Sequence, residues 1–115
     1  KVLVIPTLAE ILRIKAWLAV NRNQTRDYLD LAALADRIGI PEAAHILRSI
    51  DEYYADVNRR PEAVVSQLIR QLADPRPRDA QVTRELRSYK ALKERWHDWS
   101  QVRDVLGTLA EEMTR

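Results

Sequence analysis

The chain has 115 residues and no cysteine, and its 19 lysines and arginines stand against 17 acidic residues, for a net charge of +2. That length fits one domain with one core, and the near balance of charge excludes a polycation built for nucleic acid. The absence of cysteine excludes disulfides and thiolate metal sites, no run of about 18 apolar residues exists to span a membrane, and we expect a cytoplasmic protein.

Residues 1–5 are the one β-like stretch. Val2, Leu3, Val4 and Ile5 form a short apolar run that Pro6 closes. A lone strand is unstable in water and no second strand follows, so the sheet it would join is expected upstream or in a partner chain. The chain starts at Lys1 rather than Met, and we expect that it was cut from something longer.

Everything after Pro6 reads as helix. Leu, Ala, Arg, Glu and Asp dominate, with only two glycines and no phenylalanine. Thr7 and Glu10 form a capping box for a first helix that carries Leu8, Ile11, Leu12, Lys15, Leu18 and Ala19 and ends near Asn21. Residues 21–24 are a polar turn. Asn23 or Thr25 caps a second helix with Tyr28, Leu31, Leu34, Ala35 and Ile38, which Gly39 stops. Pro41 opens a third helix reaching to about Asn58. Pro61 opens a fourth, with Val64, Val65, Leu68, Ile69 and Leu72 on its apolar face. Residues 74–79 hold two prolines and four charges and predict an exposed, stiff loop. A weaker helix follows over 80–88. Ser100 then caps a last helix with Val102, Val105, Leu106, Leu109 and Met113, in which Gly107 would permit a close helix contact. The fold class is mainly α: a single domain over 1–115, a five- or six-helix array with one short N-terminal strand left from a missing sheet.

Four positions stand out from this patterning. Lys15 stands in the apolar stripe of the first helix, where a lysine is rare unless paired; the plain alternative is that its methylenes cover the edge of the core. Asp27 and Asp30 are three apart, near one face of the second helix, and Arg26 can pair with Asp30 four residues on. The plain alternative here is a helix N-terminus with ordinary dipole and charge pairing. The short turn makes the two helices an antiparallel hairpin, so Lys15 can face one of these carboxylates across it. A cation held by a carboxylate beside a sheet edge suits a polyphosphate.

Residues 5–34, about a quarter of the chain, carry Pro6-Thr7-Leu8-Ala9-Glu10-Ile11-Leu12, Lys15-Ala16-Trp17-Leu18-Ala19, Arg22 and Arg26-Asp27-Tyr28-Leu29-Asp30-Leu31. In that order and spacing they resemble the AbiEii-type nucleotidyltransferase-like toxins, a branch of the polymerase-β-like nucleotidyltransferases. The resemblance implies that Lys15 contacts the triphosphate and that Asp30, or else Asp27, belongs to the downstream acidic motif as general base or orienting group. It implies that Arg26 fixes the hairpin by pairing with a carboxylate. Its cofactors would be a nucleoside triphosphate and Mg in the complete protein, with none expected for this chain alone. Its partners would be a missing N-terminal nucleotidyltransferase domain, an antitoxin protein and an RNA acceptor, with no membrane. The GSxxxxDxD-type motif that holds the metals is absent, so the isolated chain is expected to be inactive.

The remaining features read as structural. His97-Asp98 has no nucleophile beside it by any motif. Trp96 and Trp99 fit core packing or a lid over neighbouring helices better than base stacking. The basic residues Arg76, Arg78, Arg84, Arg87, Lys90, Lys93 and Arg95 are interrupted by Asp79, Glu85 and Glu94 and read as a solvated face, the alternative being contact with an RNA acceptor's phosphates. The second function class is a non-catalytic helical interaction module, an antitoxin or partner-binding domain. A DNA-binding helix-turn-helix is weaker, since Asp27 and Asp30 would repel phosphate.

Overall fold

The structure is a computed structural model that describes residues 5–88 and 92–115. The expected strand over 1–5 lies almost wholly outside the described residues. Ile5 belongs to no strand and is exposed, and there is no strand among the described residues. The mainly α expectation holds. Seven α-helices, rather than five or six, occur among the described residues: α1 (Leu8–Arg22), α2 (Thr25–Ile38), α3 (Ile40–Arg48), α4 (Asp51–Tyr54), α5 (Val64–Ala73), α6 (Ala80–Arg84) and α7 (Trp99–Met113).

The capping residues explain most of these limits. The Thr7 hydroxyl oxygen accepts from the Glu10 N–H at 3.1 Å and starts α1. Asn23 stops it in the left-handed conformation (φ 51°), which asparagine tolerates, and donates its N–H to the Ala19 carbonyl at 3.0 Å. Neither Asn23 nor Thr25 caps α2. The cap position is Gln24, whose N–H donates to the Asp27 carboxylate at 3.2 Å. A second carboxylate comes from far along the chain: Asp79 accepts from the Thr25 N–H at 2.8 Å and the Thr25 hydroxyl at 2.7 Å. The 74–79 loop is therefore pinned to the hairpin turn, with the Arg78 N–H donating to the Asn23 carbonyl at 2.8 Å and Pro75 buried. Gly39 separates α2 from α3 at φ +104°, a conformation that side chains rarely adopt.

The expected long third helix is broken. α3 ends at Ser49, whose hydroxyl donates to the Ile46 carbonyl at 3.2 Å in place of continuing the ladder. The bend brings the Asp51 carboxylate over the start of α5, where it accepts from the Val64 and Val65 N–H groups at 2.8 and 2.9 Å. This cap also places the start of α5 at Val64, three residues past Pro61, while Asn58 ties the intervening turn by donating to the Glu62 carbonyl at 2.9 Å. Asp98, not Ser100, caps α7, accepting from the Ser100 N–H at 2.9 Å and the Ser100 hydroxyl at 2.7 Å. These bonds, helped by the charges of Arg87 and Arg103, hold the Asp98 carboxyl below its ordinary pKa.

α7 lies against α2, α3 and α5, and α1 against the same three helices. Leu12, Leu31, Leu47, Leu68, Leu72, Leu106 and Leu109 fill the space between them and are fully buried. The expected stripe of α7 (Val102, Val105, Leu106, Leu109 and Met113) is buried throughout. Arg48 closes the far end of α7, donating to the Glu112 carbonyl at 2.6 Å and the Met113 carbonyl at 3.3 Å. Gly107, expected at a close helix contact, has nothing within 4 Å of where a β-carbon would sit. Gly107→Ala should therefore stabilise the fold by about 0.5–1 kcal/mol through backbone entropy. Urea denaturation measures this, and a loss of stability would mean that the site is crowded after all.

Candidate functional site

The α1–α2 hairpin sorts the four residues singled out in the sequence into three places. Lys15 and Asp30 meet across the hairpin, with Nζ 3.3 Å from Oδ2. Both side chains are about one-third exposed (34% and 37%), so the pair adds little stability, about 0–1 kcal/mol. Its interest is its position on an otherwise apolar wall. Asp27, one turn earlier, is buried and does not join them. Its carboxylate accepts from the Arg22 guanidinium, with Nε at 3.2 Å, and from the Gln24 N–H. The hydrogen bond and then the charge of Asp27 hold the Arg22 pKa above its ordinary value. Arg26 is exposed and makes no ion pair with Asp30 or any other acid among the described residues, so the expected pairing fails. Arg22, read from the sequence only as a turn residue, is the arginine that fixes the hairpin.

Behind the turn lies a polar relay. The Tyr28 hydroxyl donates to the Asn23 side-chain oxygen and accepts from Gln71 Nε2 at 2.9 Å, which also reaches the Ala19 carbonyl at 3.1 Å. Tyr28 itself is fully buried, its ring edge-on to Trp99 with centroids 6.3 Å apart.

Lys15 and Asp30 open onto a groove of about 760 Å³. Leu8, Ile11, Ala33, Leu34, Leu92 and Trp96 form its apolar walls. The charged members are Lys15, Arg37, Lys93 and Arg95 against Asp30 and Asp36. Arg95 reaches across to Asp36 (2.8 Å) and also lies over the Trp96 ring, 4.7 Å from its centroid. Trp96 is buried in the core and serves as a wall, in line with the packing role expected for it. The 92–96 wall was not assembled by sequence reasoning. Lys93 and Arg95 read as a solvated basic face, and only apolar Leu92 and Trp96, four residues apart on either side of them, hinted otherwise. Tyr89 and Lys90 lie outside the described residues.

No family model matches the chain. No solved structure matches it. The chain is 40% identical over 109 residues, 95% of its length, to the mycolic acid-containing lipids exporter MmpL11 of Mycolicibacterium smegmatis, covering 11% of that protein. It is 38% identical over 96 residues (84% of the chain, 9% of the relative) to the probable transport protein MmpL11 of Mycobacterium leprae. It is 42% identical over 75 residues (65% and 8%) to the heme uptake protein MmpL11 of Mycobacterium tuberculosis. The chain spans about a tenth of the length of the relatives it matches. No helix among the described residues is long and apolar enough to cross a membrane.

These findings overturn the AbiEii-type resemblance and, with it, the nucleotidyltransferase and toxin-antitoxin reading and the expectation of a cytoplasmic protein. The relatives are transport proteins, and the similarity runs through nearly the whole chain, whereas the toxin-like motif covered about a quarter of it. The geometry gives the motif a plainer cause. Arg22 and Asp27 close a two-residue turn, and Lys15 with Asp30 bridges the two helices above it. Both pairs have a structural role in joining the two helices, and neither needs a nucleotide to account for it.

Proposed function

We propose that this chain is a helical module of a longer transport protein whose cargo is of the apolar kind carried in the names of its relatives, lipid or heme. The similarity to the lipids exporter, 40% identity over 95% of the chain, is the observation that supports this reading. The architecture agrees with it. The module has its own core, and its charges sit outside in pairs such as Arg70 with Glu62 and Arg76 with Asp74 (2.9 Å), a surface that belongs in water. In this reading it stands beside the membrane-crossing part of the transporter. The groove at Lys15 and Asp30 is its working surface. Antibodies raised against the chain should detect, in source cells, a polypeptide several times its length that sediments with membranes. Detection of a short polypeptide confined to the aqueous fraction would end the transport reading.

A further inference from the structure

We propose that the groove between α1, α2 and residues 92–96 binds a long-chain carboxylate, a fatty acid or an amphiphile with a fatty acid's head. The proposal deepens the transport reading by naming what the groove holds, and its test fails or succeeds apart from that reading. Three observations converge on it. The groove is an open trough of about 760 Å³, room for a hydrocarbon chain laid along it. The walls are apolar: Leu8, Ile11 and Leu34 on the hairpin, with Leu92 and Trp96 opposite. Such walls take up hydrocarbon, which a sugar or a polyphosphate does not have.

The third observation is charge. Among the described residues, four cations and two carboxylates line the groove, a surplus of two positive charges. Asp30 engages Lys15 and Asp36 engages Arg95, which leaves Arg37 and Lys93 without a carboxylate partner among the described residues. Lys15 has three N–H donors and offers one to Asp30 at 3.3 Å, so two remain for a ligand. An apolar trough with a surplus of cations complements one negatively charged head on an apolar body. A dicarboxylic macrocycle would match the charge as well, and titration with each separates the two.

Titrating oleate into the chain and following tryptophan fluorescence tests this, because Trp96 forms one wall. The expected result is saturable binding at one site below the concentration at which oleate forms micelles. Methyl oleate, which keeps the hydrocarbon and loses the charge, should bind about ten-fold more weakly, as for the loss of one charge-assisted hydrogen bond. Arg37→Ala, a change at an exposed position that leaves the core intact, should weaken oleate by a similar factor. Ala33→Phe, which puts a ring into the groove, should abolish the fluorescence response while circular dichroism stays helical. Equal affinity for oleate and its ester would overturn the proposal. So would binding that survives both variants, no oleate binding at all, or binding only to anionic phosphatidylglycerol vesicles. Hemin binding tighter than oleate would assign the groove to a porphyrin instead.

Discussion

Tyr28→Ala should destabilise the protein more than any other single change near the hairpin, by about 3–5 kcal/mol, the range for truncating a buried aromatic ring. Tyr28 is fully exposed to no solvent and joins two kinds of support: its ring packs edge-on against Trp99, and its hydroxyl bridges Asn23 and Gln71. A domain of this size has only about 5–15 kcal/mol of total stability, so the variant should melt about 10 °C or more below the parent. Tyr28→Phe separates the two supports. It keeps the ring and leaves the Asn23 oxygen and the Gln71 amide short of a partner, costing about 1–2 kcal/mol. If alanine and phenylalanine cost the same, the ring contributes nothing and the packing argument fails.

The same residue gives the fold an alkaline limit. Burial raises the Tyr28 pKa above its ordinary value of 10.0; the Gln71 hydrogen bond opposes the shift and the charge of Asp27 adds to it. The native state therefore holds this proton more tightly than the unfolded chain does. The resulting stability is fully present below pH 10.0 and is lost as the pH rises from there through the raised native value. Tyr54 shifts the same way through burial, with Arg13 opposing. Unfolding measured across alkaline pH should show stability falling in that window, and Tyr28→Phe should flatten the fall. A variant with the parent's slope would show that Tyr28 does not titrate with unfolding.

Asp27→Ala carries the second large effect, about 2–3 kcal/mol. Its carboxylate is buried and serves the Arg22 guanidinium and the Gln24 N–H together, so alanine removes a helix cap and a charge-assisted bond at once. Asp27→Asn keeps an oxygen for Gln24 and loses the charge, and should cost roughly half as much. Asp30→Ala, one turn further along, breaks only the partly exposed pair with Lys15 and should change stability by less than about 1 kcal/mol. Chemical denaturation of the three variants ranks them. Asp30→Ala proving as damaging as Asp27→Ala would reverse the division of roles between the two acids.

That division marks how far the sequence could be read. The stripes of α2, α5 and α7 follow helical spacing, whereas α1 buries Leu12, Ala16, Ala19 and Val20 and leaves the expected Leu8 exposed; the meeting of Lys15 with Asp30 follows from a short turn between two helices. Both are local facts. The break between α3 and α4 depends on Asp51 capping a helix thirteen residues onward, and α2 depends on Asp79, 54 residues past Thr25. Nothing in local spacing announces such pairings. The groove was half legible for the same reason: its hairpin wall is local, while Arg95 reaches Asp36 from 59 residues away. The toxin-like motif misled because its lysine, arginine and two aspartates are used here in closing the hairpin.

The central claim, that these helices serve as a module of a transport protein, meets its most direct test in an exchange. Put in place of the matched 109-residue segment of the lipids exporter, this chain should keep mycolic acid-containing lipids reaching the cell exterior, and an unrelated helical spacer of equal length should not. A chimera that is made and inserted at parental levels but exports no lipid, or a spacer that performs as well, would contradict it.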